Sequence, residues 1–209
     1  MLYVLDRPSV LLGIIIAVVV GLLVHDLAVT AAAVLLGDRT PRRRGWPLGR
    51  PAAHIEPFGA VAAIIVGYGW GAPVPLDERW RARRGRLALT FLVGPLAWFA
   101  LALLLFTADR GAGGSGATIL GSAGEYACAG AVVACLPVPP LDGGRLVLAL
   151  APPSLFWQQA RHQLQERNIG LAIALAVVLA PRLIPSLPQV VPQLAGRLIT
   201  VALHITGTS

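Results

Sequence analysis

The stretch VLLGIIIAVVVGLLVHDLAVTAAAVLLG, Val10 to Gly37, decides how the rest of the chain is read. At ~1.5 Å per residue, a helix of this length exceeds the ~30 Å hydrocarbon core of a bilayer. Only His25, Asp26 and Thr30 interrupt its apolar character. Ionisable groups inside a membrane span are costly, which makes His25 and Asp26 functional candidates by default. They fall toward the end of the run that meets the first basic loop. The N-terminus before it holds one arginine, Arg7, and the apolar run is too long for a cleavable signal peptide.

Outward from this span, the segment after Gly37 turns and becomes basic, with Arg39, Arg42, Arg43, Arg44 and Arg50. A second basic loop carries Arg79, Arg81, Arg83, Arg84 and Arg86. Between them lies Phe58 to Ala72, apolar, glycine-rich and bounded by Pro57 and Pro73. Positive loops mark the cytoplasmic side. If both Arg-rich loops, 39–50 and 79–86, are cytoplasmic, the segment 58–72 enters and leaves on the same face. It is therefore expected as a re-entrant loop or hairpin, covered by protein or lining a wet cavity. Further spans are expected at 87–107, 117–136 and 169–184. The proline-broken segment 137–145, with Asp142 in a non-helical turn, lies between the last two. The tail 188–205 either lies at the interface or spans. No internal repeat is visible, and the whole chain, 1–209, reads as one membrane domain.

Composition agrees with this reading. The chain has 209 residues, 56% hydrophobic and only 13% charged, against about 25% charged in soluble domains; its mean hydropathy is +0.72. That excludes a disordered chain, a disulfide scaffold and an ordinary soluble enzyme. The expected class is an all-α polytopic membrane protein. The net charge of +7 does not point to nucleic acid, because the arginines sit in loops between apolar runs and not among stacking aromatics. They read as topology signals and as contacts to anionic lipid headgroups. Cys128 and Cys135 lie seven apart on one helix face, too far for an easy bridge, and read as small core residues.

Asp142 is the second chemical candidate, since Pro137, Pro139 and Pro140 break the chain before it and Gly143 and Gly144 follow. One histidine and one aspartate from distant helices are the start of a metal site, but only two ligands. They are equally a pair that neutralise each other inside the bundle.

Six collinear segments carry a more specific message: HDLAV (25–29), LGDRTPRR (36–43), AAHIEPFG (52–59), GYGWGAPVP (67–75), VGPLAW (93–98) and CLPVPPLDGGR (135–145). In order and spacing they resemble the site-2 protease family, intramembrane zinc metalloproteases, in its compact bacterial form. The resemblance implies a site-2 protease-like transmembrane core in a bacterial cytoplasmic membrane. In that family HExxH supplies two zinc-binding histidines and a general-base glutamate, and LDG supplies a third ligand. Carried over, His25 and Asp142 are residual metal ligands, and Asp26 stands where the general base does, one methylene short. Val29, at the second histidine's place, has no donor atom. Trp98 and Ala134 stand where the family has asparagines thought to hold the substrate strand.

Four departures on functional positions, with the scaffold segments kept, imply that the protein is not a working protease: a pseudoprotease in which Asp26 is without function and zinc is weakly held or absent. Its partners would then be membrane lipids and a transmembrane protein or membrane complex, as a partner-binding scaffold or as a structural subunit. The alternative is an active intramembrane zinc protease with an altered ligand set, in which His54 replaces Val29. Glu56, Cys128 and Cys135 are further candidates for that place.

Overall fold

The computed structural model describes residues 4–46, 54–77, 84–184 and 186–207. Arg50, Arg79, Arg81 and Arg83 of the two basic loops lie outside the described residues. The described part is all helical, as expected, with no strand among the described residues. The helices are α1 (Pro8–Leu35), α2 (Thr40–Arg43), α3 (Pro57–Val66), α4 (Arg84–Asp109), α5 (Ser115–Cys135), α6 (Asp142–Leu150), α7 (Leu155–Arg161), α8 (Ile169–Leu183) and α9 (Val190–Thr206). A five-residue π-helical turn, His162–Glu166, extends α7.

Three of these, α1, α4 and α5, are long and apolar enough to cross a membrane. At 15 residues, α8 falls short of the ~20 a crossing needs. It reaches that length only with the Leu155–Glu166 stretch, from which it departs at a 73° bend. The joint contains Asn168, with φ of 56°, in the left-handed region that asparagine tolerates better than most residues.

The core is the triple packing of α1, α4 and α5, with α6 against α4, α9 against α5 and α4, and α3 against α8. Lipid tails are as apolar as leucine, so helix association in a bilayer depends on close packing rather than on hydrophobic burial. The buried face of α5 is built for that, with Ala123, Gly124, Ala127, Cys128, Gly130 and Ala131. Phe106 of α4 fills the notch at Gly124, where a Cβ would meet its ring at 2.7 Å.

The segment containing 58–72 folds as a hairpin. Glu56 caps α3, its carboxylate accepting from the Gly59 amide at 2.6 Å. Gly67, with φ of 91°, ends the helix. The chain then returns so closely beside it that a Cβ on Gly59 or Gly69 would strike the opposite backbone. The Ala72 amide donates to the His54 carbonyl at 2.9 Å, bringing the two ends together. At the tail, α9 buries Val191, Ala195 and Ala202 and leaves Leu194, Val201 and Ile205 exposed.

Candidate functional site

The site is assembled from three places in the sequence. His25 and Asp26 come from the middle of α1, His54 from the entry to the α3 hairpin, and Asp142 from the start of α6. Asp142 is thus the first residue of a helix and not part of the non-helical turn expected from its prolines. The turn ends one residue earlier, at the extended Leu141, after a cis Pro139–Pro140 bond. The glycines after Asp142 make this possible. A Cβ on Gly143 or Gly144 would strike the backbone at Cys135 or at Val138 and Pro139, so α6 packs directly on the proline segment.

The four side chains form one alternating chain of acid and base. His25 Nε2 lies 2.5 Å from Asp142 Oδ2. The other ring nitrogen, Nδ1, lies 3.0 Å from Asp26 Oδ1. The second oxygen of Asp26, Oδ2, lies 2.6 Å from His54 Nδ1. Asp26 and Asp142 are buried and the two histidines nearly so. Because both nitrogens of His25 face carboxylate oxygens, either the ring carries both protons or one of the carboxyls carries one. The His54 ring packs at a tilt against Trp46, with ring centroids 4.2 Å apart and planes 47° apart.

The sequence candidates His25, Asp26, His54 and Asp142 are therefore brought together, and the others are not. Val29, one turn beyond His25, is fully buried. Glu56 is occupied as the cap of α3. Cys128 is buried in α5 and Cys135 exposed at its end, and both thiols are free. Among the described residues no three His, Cys, Asp or Glu side chains are grouped to hold a metal ion. The donor set does not fit a three-ligand zinc. His25 and Asp142 provide two donors, but Nε2, the atom that would bind metal, is turned to hydrogen bonding with Asp142.

The chain is 29% identical over 155 residues, 68% of its own length and 70% of the other's, to a Bacillus subtilis (strain 168) protein named putative zinc metalloprotease YwhC. No family model matches the chain. No solved structure matches it either. The chain is thus a helical membrane protein similar to one named as a zinc metalloprotease.

Two residues that matter to the site were not singled out from the sequence. Gly94 of α4 faces the His25–Asp142 pair so closely that a Cβ there would lie 2.6 Å from His25 Nε2 and nearer still to Asp142 Oδ2. The signal was present in VGPLAW, where a glycine precedes Pro95 inside a long apolar helix. Trp70 is the other. It is buried, and its indole N–H finds no partner among the described residues. Trp98, read from the sequence only as a lost asparagine, proves to be a filler. Its ring occupies the space that side chains on Gly21 of α1 and Gly130 of α5 would take. Beside His25 and Asp142 it leaves a cavity of about 30 Å³, enough for a water molecule or two and not for a peptide segment. A separate apolar groove of about 450 Å³ runs between α1 and the hairpin, past Val18, Leu22, Ile55 and Trp70, and ends at Asp26 and His54.

Proposed function

We propose that this chain is a non-catalytic, site-2 protease-like membrane protein that uses the fold to hold a membrane partner. The observation that carries the reading is the fully buried, apolar Val29 one turn beyond His25, where a second histidine would stand. Among the described residues no third His, Cys, Asp or Glu is grouped with His25 and Asp142 to hold a metal ion. Asp26 adds to the case. As a general base it would need an oxygen available to a reacting water, yet both of its oxygens are engaged by imidazoles. Trp98 fills the space beside the pair, so a substrate strand finds no room there. The apolar groove between α1 and the hairpin, lined by Val18, Leu22, Ile55 and Trp70, supplies the surface for an apolar segment of a partner.

A second reading is favoured by one observation. His54, the replacement ligand considered above, is already in the cluster through Asp26. To complete a set with His25 and Asp142 it would have to break that bond and turn inward. Metal analysis beside a cleavage assay on a transmembrane substrate separates the two readings. The non-catalytic reading expects well under one zinc per purified chain and no cleavage. It also expects zinc to be recovered in the double variant Val29→His with Asp26→Glu. Near-stoichiometric zinc surviving mild chelation, or cleavage that disappears in Asp142→Ala, would establish the altered ligand set instead.

A further inference from the structure

Two ionisable side chains outside the acid–base cluster stand at membrane depth. Glu125 is at the middle of α5, ten residues or about 15 Å from either end, and α5 is one of the helices long and apolar enough to cross the bilayer. It is exposed to a cavity of about 360 Å³ whose wall is mostly apolar, with Val66, Ala129, Val178 and Ile199. Its carboxylate makes no hydrogen bond or ion pair among the described residues, and Arg182, which lines the same cavity, does not pair with it. Arg197 is exposed on α9 and is equally without a hydrogen bond or ion pair among the described residues. A lone charge at this depth is costly, and membrane proteins compensate by pairing it.

The acid and the base share one depth. Helix α9 runs antiparallel to α5. Its last residue, Thr206, accepts through its carbonyl from Arg110, shortly before α5 begins, and Val191 at its start packs with Val132 and Val133 near the end of α5. Ile199 lines the cavity of Glu125, and Arg197, two residues earlier, is displaced from it by only about 3 Å along the helix. The two side chains nevertheless lie on different sides of α9. Pro192 and Ile199 mark the side that faces the cavity. At ~100° per residue, Arg197 is about 140° round from Pro192, with Gly196 and Thr200 between them. That intermediate strip is open: a Cβ on Gly196 would meet nothing within 4 Å, and the Thr200 hydroxyl is satisfied by the Gly196 carbonyl at 3.0 Å.

This arrangement is complementary to itself. A second copy in the same orientation, related by a two-fold axis along the membrane normal and touching at Gly196 and Thr200, brings Arg197 of each copy to the side where the other's cavity opens. Each copy gives one base and receives one at the same depth, so both pairs form together, as an isologous contact requires. We propose that the chain forms a parallel two-fold dimer through α9, in which Arg197 of each copy enters the other's cavity and pairs with Glu125. The proposal is independent of whether the chain is a protease.

The full-length protein in neutral detergent is followed by size-exclusion chromatography with light scattering across a dilution series. The expected result is a dimer. Glu125→Arg or Arg197→Glu alone should weaken it about a hundredfold, tenfold for each of the two symmetry-related pairs. The double variant exchanges acid and base and should restore the dimer, which also shows that the single variants did not fail through misfolding. In membranes, with Cys128→Ala and Cys135→Ala as background, Gly196→Cys should cross-link under mild oxidation, whereas Val19→Cys, exposed at 63% on α1, should not. A chain that stays monomeric at every concentration, single variants that dimerise like the unmodified chain, or a double variant no better than the single ones would overturn the pairing. Equal cross-linking from Val19→Cys would overturn the α9 contact. Stoichiometric retention of a different transmembrane protein in place of a second copy, lost in Glu125→Gln, would overturn self-association and assign the cavity to that partner.

Discussion

Replacing Gly94 by alanine tests the description of the acid–base cluster most directly. The added Cβ would lie 2.6 Å from His25 Nε2, where ordinary contact begins at 3.4 Å. The imidazole must therefore retreat by about 0.8 Å, and the carboxylate of Asp142, which is closer, by more. Starting from 2.5 Å, a separation of that size carries the pair beyond the ~3.2 Å limit of a good hydrogen bond. A buried charged group that loses its partner costs about 1–3 kcal/mol or more, and overpacking a tight contact adds about 1–3 kcal/mol. Helix propensity returns up to about 1 kcal/mol for Gly→Ala. The net loss is about 1–5 kcal/mol, or about 2–20 °C in melting temperature for a chain of this size. Helical circular dichroism on the detergent-solubilised protein would measure it, with Gly85→Ala as the partner experiment. Gly85 is on the same helix with nothing within 4 Å of its would-be Cβ, so that variant should be neutral or slightly stabilising. Equal melting temperatures for Gly94→Ala and Gly85→Ala would mean that α4 does not confine the His25–Asp142 pair.

Two further outcomes follow from the same geometry. Trp98→Ala should lower stability by about 3–5 kcal/mol, because the ring fills the space between α1 and α5, whereas Leu96→Ala, exposed at 63% on the same helix, should cost far less; similar losses in thermal melts would remove Trp98 as a filler. Asp26→Leu breaks two bonds to imidazoles and His54→Ala only one, so the first should cost more by about one charge-assisted bond, ~1.5–3 kcal/mol. A melt in which His54→Ala is the more damaging would place the hub of the cluster elsewhere.

What could be read from the sequence divides by the range of the interaction. The α1, α4 and α5 helices are visible because length and hydropathy are local properties, and a bilayer demands both at once. The hairpin after His54 is suggested by its glycines and by the arginines on either side, although the close approach of Gly59 to Trp70 is a backbone contact that hydropathy does not encode. The 73° departure of α8 could not be read, since Asn168 is one residue in a polar loop and its left-handed φ has no compositional signature strong enough to set a helix direction. The His25–Asp142 contact spans 117 positions. It was legible only through the resemblance of HDLAV and PPLDGGR to a paired motif. The link from Asp26 to His54 was beyond that reading, because the resemblance treats Asp26 as a shortened base and His54 as a substitute ligand. Nothing in either role says that the two bind each other.

That link gives His25, Asp26 and Asp142 a structural role beside Val29, whose side chain has no donor atom. Two carboxylates packed into a membrane bundle need positive charge or protons close at hand, since unpaired buried charge is costly in a low-dielectric interior. In the Asp142–His25–Asp26–His54 chain every acid faces a base. The same chain ties α6 to α1 and α1 to the hairpin. Removing any one member leaves its neighbour with an unmet buried group, so each residue is held by the others whether or not chemistry occurs there. The histidines and aspartates of this cluster therefore serve a structural clamp as well as they would a catalytic centre. The residues that bear on the choice lie outside the clamp: Val29, which adds no donor, and Trp98, whose ring stands beside His25 and Asp142.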